Sequence, residues 1–262
     1  MKRLILTLGL LLVSAALLGT STFAWFSMNK DVDITGMKVK AITPAYVYIS
    51  NAQDMADKSN KIALTDAVAN LEPASTADLT NWFTAKAAAD NAPGKEGDYK
   101  AATAAEAYVL KTFYVQSQNT GVKNFKLEEV KITYTGDTKS EVNSAIRIGI
   151  RFSNLEDDTD NKTLFFAPLS TAANGTAATG AQTTDTIQFV AVGNTSTAEK
   201  STTVSYNSTA STLIAAMTAD QVYKLEVFIY FDGEDANCST QKAIVLNELT
   251  IDLGFQAEST EG

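Results

Sequence analysis

The sequence predicts an all-β, mainly antiparallel protein built as a two-sheet sandwich. Short segments alternate apolar and polar residues, their connections are rich in polar residues and glycine, and no strand–helix–strand rhythm is present. The chain has 262 residues, of which 45% are hydrophobic, so it can bury a sizeable core. No internal repeat is visible, which argues against a solenoid.

The N-terminus has the three parts of a secretory signal peptide. A positively charged start precedes an apolar run over residues 4–18 and a stretch of small residues that ends at Ala24. We expect residues 1–24 to be removed by a signal peptidase, which leaves a secreted or cell-surface protein. The alternative is a retained membrane anchor, which needs about 20 apolar residues and must therefore include Trp25 and Phe26.

Two strands are predicted at the start of the mature chain. The alternation from Val32 to Lys40, around Gly36, predicts a strand with a bulge or kink at the glycine. Residues 25–40 are therefore assigned to an N-terminal strand segment. Residues 45–50 form the second predicted strand, which opens the sandwich domain assigned to residues 41–257.

An insertion into this domain is predicted over residues 51–106, which are rich in alanine, aspartate and lysine and poor in β-branched residues. Short helices are expected at 66–70 and 79–90, the second capped by Thr76 or Asp78. The fold class is thus a β-sandwich with a partly helical insertion.

The β pattern returns from residue 107. Strands at 107–117 and 125–135 are joined by a glycine-containing loop that predicts a hairpin, and the second strand keeps its apolar residues on one face only if a bulge lies at Glu128 and Glu129. The strand at 144–153 alternates as a half-buried antiparallel strand does. Further predictions are strands at 163–167, 186–192, 222–231 and 248–257, loops at 170–185 and 193–212, a helical turn at 213–219, and a tail at 258–262.

The strand at 222–231 has an unusual outer face. One set of alternate residues is typical of a core, and the other set includes Phe228 and Tyr230. These two rings indicate a sheet end or a further contact on that face.

Composition excludes several classes of function. The chain has 21 basic and 30 acidic residues, a net charge of −9, no histidine and a single cysteine, Cys238. Nucleophile systems that use histidine and imidazole-bound zinc are therefore excluded. Nucleic acid is not an expected partner, because phosphate contacts need clustered Lys and Arg. We expect no enzyme activity and no internal disulfide.

Two acidic loops, at 156–160 and 232–235, raise the question of calcium. Ca²⁺ takes six to eight oxygen ligands, which clustered carboxylates supply, although the spacing is not that of an EF-hand. A possible Ca²⁺ ion is the one cofactor considered, and the alternative is that these are solvated loop tips. The candidate ligands are Asp157, Asp158, Asp160, Asp232, Glu234 and Asp235.

Aromatic residues suggest a second kind of ligand. Five tyrosines have rings that either stack on sugars or pack in the core: Tyr46, Tyr48, Tyr99, Tyr108 and Tyr114. An adhesin that bound through its long loops would need aromatics within 170–212, where only Phe189 and Tyr206 occur.

Residues 19–27 (GTSTFAWFS) resemble the signal-peptide junction of secreted Firmicute proteins of the TasA/camelysin kind, which are cut by a SipW-type signal peptidase. Residues 229–238 (IYFDGEDANC) resemble a phrase near the end of secreted clostridial proteins with the same start. The resemblance implies a jelly-roll-type sandwich. Camelysin has been classed as a metallopeptidase, but this chain lacks HExxH, so that activity is not carried over.

In TasA-like fibres the segment after the cleavage site leaves its own domain and pairs with a neighbour's sheet. The resemblance therefore implies a structural subunit of cell-surface or extracellular-matrix, biofilm-like fibres, with itself and envelope or matrix components as partners. The alternatives are that the segment folds back on its own domain, or that the protein is a monomeric adhesin or carbohydrate-binding module. The candidate donor residues are Trp25, Phe26, Val32, Ile34, Met37 and Val39.

Overall fold

The computed structural model describes most of the chain after residue 31. The described residues are 32–34, 37–44, 46–66, 69–85, 99–118, 121–136, 145–156, 162–168, 187–191, 201–206, 211–233 and 245–259.

The described elements are β-strands, apart from one helical turn. In chain order the strands are β1 Val32–Ile34, β2 Met37–Ile42, β3 Val47–Ser50, β4 Lys61–Asp66, β5 Ala69–Leu71, β6 Ala74–Ser75, β7 Phe83–Ala85, β8 Tyr99–Ala101, β9 Val109–Ser117, β10 Val122–Gly136, β11 Ile146–Asn154, β12 Lys162–Ala167, β13 Ile187–Ala191, β14 Ser201–Ser205, β15 Thr212–Ala216, β16 Val222–Phe231 and β17 Val245–Ser259. The helix α1, Ala104–Ala107, lies between β8 and β9. Among the described residues, no helix has the length and apolar character needed to cross a membrane.

Two large sheets form the sandwich. The eight-stranded sheet has the order β14–β10–β17–β1–β5, with β15 also paired to β10 and with β2 lying between β17 and β4. The six-stranded sheet has the order β13–β12–β11–β16–β9–β3. The predicted mainly antiparallel sandwich is confirmed. Parallel pairs occur where β17 meets β1 and β2 and where β12 meets β13.

The main core lies between these sheets. Stacked aromatic pairs occupy it, including Phe125 with Phe255 and Phe152 with Tyr223, each pair with ring centroids 5.3 Å apart. Such offset pairs add to the energy of apolar burial.

The predicted bulge in β10 is confirmed. The register with β17 shifts between Leu127 and Glu129, so Glu128 is an extra residue on β10. Because of it, Leu127 and Val130 both reach the core and are fully buried.

The predicted hairpin at 118–121 is wrong. Strand β9 belongs to the six-stranded sheet, where β16 and β3 flank it, whereas β10 lies in the eight-stranded sheet between β17 and the pair β14 and β15. Both strands thus have partners on each side, and the connection between them crosses from one sheet to the other.

The regular elements in the described part of the insertion are mainly β-strands. Neither predicted helix is present in the described residues, because β4 and β5 occupy the ends of 66–70, and 79–85 is a turn followed by β7. Residues 67–68 and 86–90 of the two predicted helices lie outside the described residues. Leu79 has a φ of 55°, which is incompatible with a right-handed helix. Thr76 accepts hydrogen bonds from the amides of Asp78 and Leu79, so it caps a turn instead.

Three other boundaries differ from the predictions. The segment 213–219 is largely strand β15, not a helical turn. Strand β14 lies within the predicted loop 193–212, and β17 extends to Ser259 into the predicted tail. These segments become strands because they pair with β10 or β17, and the composition of a segment does not predict such pairing.

The insertion covers the outer face of the six-stranded sheet. Its three-stranded sheet, β6–β7–β8, brings Trp82 within 6.1 Å of Phe228 and 5.0 Å of Tyr230 between ring centroids. The contact predicted for these two rings is therefore confirmed. The half-buried character predicted for β11 is wrong, because Arg147 on its outer face is only 3% exposed.

Candidate functional site: the N-terminal strands

The N-terminal strands, β1 and β2, occupy an interior position in the eight-stranded sheet. On one side β17 runs parallel to them, pairing Ile34 with Leu246 and Met37 with Leu249. On the other side β5 and β4 run antiparallel. The register offset to each neighbour is the same for β1 as for β2. Gly36, where a bulge or kink was predicted, lies outside the described residues.

Strand β2 contributes directly to the main core. Met37, Val39 and Ala41 are at most 1% exposed, and the alternating Lys38 and Ile42 are exposed. The strand thus has one buried face and one solvent face, which fixes its register because a one-residue slip would expose the buried set.

An ion pair on the solvent face links β2 to its parallel neighbour. Lys40 Nζ lies 3.2 Å from Asp252 Oδ1, and both side chains are partly exposed. Lys40 and Asp252 are also register partners. A pair of this kind adds little stability but favours one alignment of the strands.

The predicted donor residues fall in two groups. Val32 and Ile34 lie in β1, and Met37 and Val39 lie in β2, all within the chain's own sheet. Trp25 and Phe26 lie outside the described residues. In the single chain the described part of the segment therefore adopts the fold-back arrangement.

Sequence reasoning missed the end of this segment. The alternation that begins at Met37 continues through Ala41, and the strand ends at Ile42, beyond the predicted Lys40. Ala41 is small and Ile42 lies on the solvent face, so the apolar–polar alternation is weaker at these two residues. Following the alternation as far as Pro44 would have predicted the full strand.

The N-terminal strands are also the partners on which two further strands depend. They are the first described elements, and β4 and β5 have them as their only strand partners among the described residues.

Of the proposed calcium ligands only Asp232 is described, and its carboxylate has protein partners. Oδ2 lies 3.3 Å from Arg147 Nη2, and Oδ1 accepts a hydrogen bond of 3.3 Å from Ser75. Asp157, Asp158, Asp160, Glu234 and Asp235 lie outside the described residues. Where the structure describes the chain, no cluster of three metal-ligating side chains occurs.

The two acidic loops leave from distant points. In the antiparallel pair of β11 and β16, Asn154 lies opposite Tyr223 and Ile146 lies opposite Phe231. Asn154 and Phe231, which end the strands before the two loops, therefore lie at opposite ends of the pair. At about 3.3 Å per residue, the distance between these two strand ends is more than 20 Å.

The candidate sugar-binding tyrosines are divided among several environments. Tyr46 donates a hydrogen bond to the carbonyl of Ala257, and burial together with the charge of Glu258 raises its pKa. Tyr108 packs against Trp82. Tyr206, from the predicted ligand loops, is 1% exposed in the main core and is not a surface ligand. Tyr48 and Tyr114 are half-buried on the outer face of the six-stranded sheet, and Tyr99 lies in β8.

No family model, no curated protein and no solved structure matches this chain.

Proposed function

We propose that the protein is a secreted structural subunit of cell-surface or extracellular-matrix fibres, and that copies associate by exchanging their N-terminal strands. The observation that supports this is the place of β1 and β2: they complete a sheet from its interior, and they follow the expected cleavage site after Ala24 within the next eighteen residues. The resemblance of residues 19–27 to the TasA/camelysin junction supports the same role.

Exchange of the N-terminal strands between copies would leave the energy of their contacts unchanged, because the same contacts form between chains instead of within one chain. A neighbour's β2 presents the same Met37, Val39 and Ala41 to the same core and the same Lys40 to Asp252. Each large side chain contributes about 1.5–3 kcal/mol in either arrangement. The balance between closed monomer and open chain is then set by concentration and by new contacts at the junction.

The junction contacts proposed here come from Trp25 and Phe26. After export these rings lie just before β1, and shelter of both is worth roughly 4–6 kcal/mol before ordering costs. In an open chain they would pack between neighbouring subunits.

Two variants of the chain beginning at Trp25 test this proposal. Deletion of residues 25–31 and the length-matched double substitution Trp25→Ser, Phe26→Ser should both abolish filaments in electron micrographs. Both should leave the circular dichroism spectrum and the melting temperature of the monomer close to those of the parent chain, because β1 and β2 are retained.

The matched control is Tyr48→Ser, which removes a half-buried ring from the six-stranded sheet. It should leave filaments intact. Filaments of normal length from the double variant would refute the role of the two rings, and a parent chain that stays monomeric at all concentrations would refute assembly itself.

A further inference from the structure

A pocket of about 480 Å³ opens on the outer face of the six-stranded sheet, beside the insertion. It lies on the opposite side of that sheet from the main core and involves none of the N-terminal strands. Its lining residues are Arg151, Ser153, Asn154, Leu155, Thr163, Lys224 and Glu226. Its volume is within the range of small-molecule sites.

The lining is organised as two cross-strand rows. In the first, Thr163, Arg151 and Glu226 lie side by side on β12, β11 and β16. In the second, Ser153 and Lys224 lie side by side on β11 and β16. The rows are two residues apart along the strands, which is about 6.6 Å, and adjacent strands within a row are about 4.8 Å apart, so a ligand of one or two rings would span both rows.

An ion triad fixes the floor of the pocket. Glu226 is 8% exposed, and its two oxygens lie 2.6 Å from Lys224 Nζ and 3.5 Å from Arg151 Nη1. Arg151 Nη2 also donates to the carbonyl of Leu79 at 2.8 Å and to the hydroxyl of Thr80 at 2.9 Å. The guanidinium is therefore occupied by the insertion and by Glu226.

Three other polar groups in the pocket are unused by the described residues. The hydroxyls of Ser153 and Thr163 have no hydrogen-bond partner there. The Asn154 Oδ1 accepts hydrogen bonds from Gln221 and from the amide of Glu156, which holds the side chain in place and leaves its NH₂ group unpaired among those residues. A ligand that binds through hydrogen bonds requires polar groups that converge on one site, are fixed in position and have no partner of their own.

An aromatic ring extends the second row. Tyr114 on β9 is the direct cross-strand partner of Lys224, and it stands half-buried on the same face of the sheet. Tyr114 is not among the lining residues, but its ring lies next to Lys224 at the edge of the pocket and offers an apolar surface for the C–H face of a sugar ring that extends past Lys224.

We propose that this pocket binds a neutral saccharide. Sugar hydroxyls both donate and accept, so they match the serine and threonine hydroxyls, the asparagine NH₂ group, the lysine ammonium and the glutamate oxygens. An anionic ligand fits less well, because both cations already contact the carboxylate of Glu226 and the ligand would place a second negative charge beside it.

The experiment applies the chain beginning at Trp25 to a microarray of defined neutral, sialylated, sulfated and phosphorylated glycans. Titration calorimetry with the strongest neutral glycan follows. The parent chain should bind neutral glycans, and Ser153→Ala with Thr163→Val should weaken binding about tenfold, since two hydrogen bonds are lost. Tyr114→Ala should also weaken it several-fold.

Lys131→Met is the control, because it removes an exposed lysine from the other large sheet. It should bind neutral glycans as the parent chain does. The Trp25→Ser, Phe26→Ser variant should also bind them normally, so a failure of the assembly proposal can be distinguished from a failure of this one. Thermal melts check that each variant folds. Binding confined to acidic glycans, no signal from any neutral glycan, or undiminished binding by the serine–threonine variant would overturn the proposal.

Discussion

At the residue scale, a few side chains attach the insertion to the six-stranded sheet. Leu79 points at Gly149, where an added Cβ would lie 2.4 Å from Leu79 Cδ2. Arg151 holds the neighbouring carbonyls of Asp78 and Leu79, and its guanidinium carbon lies 5.3 Å from the ring centroid of Phe228. The left-handed backbone of Leu79 is held by these contacts.

Gly149→Ala should lower the free energy of unfolding by about 1–3 kcal/mol, because the new methyl group displaces the side chain of Leu79 from its packing position against residue 149. Urea unfolding of the parent and variant gives the difference. Gly254→Ala is the matched control, since its nearest neighbour is Glu129 Cβ at 3.3 Å and the change is expected to be small. If Leu79 is the obstacle, Gly149→Ala combined with Leu79→Ala will cost less than the sum of the single changes.

The turn that carries Leu79 should also depend on pH. Burial alone would raise the pKa of Asp78, but hydrogen bonds from Asn81, Thr80 and Thr76 outweigh it and hold the pKa below its ordinary value of 3.8. Because the pKa of Asp78 is lower in the folded state than in the unfolded state, its carboxylate adds its full stability at pH values above the unfolded-state pKa. That stability is lost as the pH falls through the folded-state pKa.

The stability difference between the parent chain and Asp78→Ala should therefore be constant near neutral pH and shrink below about pH 3.8. Urea unfolding at a series of pH values measures it. A difference that stays the same down to about pH 3 would show that the charge of Asp78 does not hold the turn.

At the element scale, the sequence predicts strands well where alternation is long and unbroken. Strands β11 and β16 follow such patterns, and in both the alternate residues predicted for the core are buried. The bulge at Glu128 was also predictable, because apolar residues change phase there. Partner choice was not, since the pattern of β9 and β10 does not say which sheet each strand joins.

The insertion was misread for a physical reason. Alanine and aspartate favour helices and turns locally, but Trp82 gains more by packing on Tyr108 and Phe228 than a short helix would contribute. The pocket on β11, β12 and β16 was likewise beyond sequence reasoning, because its polar residues come from three strands whose order is set by tertiary pairing.

Deletion of Glu128 should abolish folding, because without the extra residue either Leu127 or Val130 and their alternates would face solvent. Glu128→Ala keeps the residue count and should change stability by less than about 1 kcal/mol. Solubility and circular dichroism separate the two variants. A soluble, folded deletion variant would mean that the bulge does not set the register of β10.

At the scale of the whole molecule, the proposed exchange divides the fold into the N-terminal strands, which would move between copies, and a fixed body, which would not. The six-stranded sheet, the three-stranded sheet and β10 with β17 keep their partners whether the N-terminal strands come from the same chain or from another. The proposed saccharide pocket belongs to this fixed body, so assembly would display it repeatedly along a fibre.

Cross-linking of the N-terminal strands tests the central claim most directly. In a Cys238→Ser background, Lys40→Cys with Asp252→Cys places two thiols on register partners of β2 and β17, within disulfide reach. Lys131→Cys with Asp252→Cys is the control, because it joins β10 to β17 within one body.

Both variants are assembled under reducing conditions, oxidised as filaments and run on a denaturing gel without reductant. Strand exchange predicts a ladder of covalent multimers for the Lys40–Asp252 pair and monomers for the Lys131–Asp252 pair. Monomers alone from both pairs, in filaments confirmed by microscopy, would contradict exchange and show that each subunit keeps its own N-terminal strands.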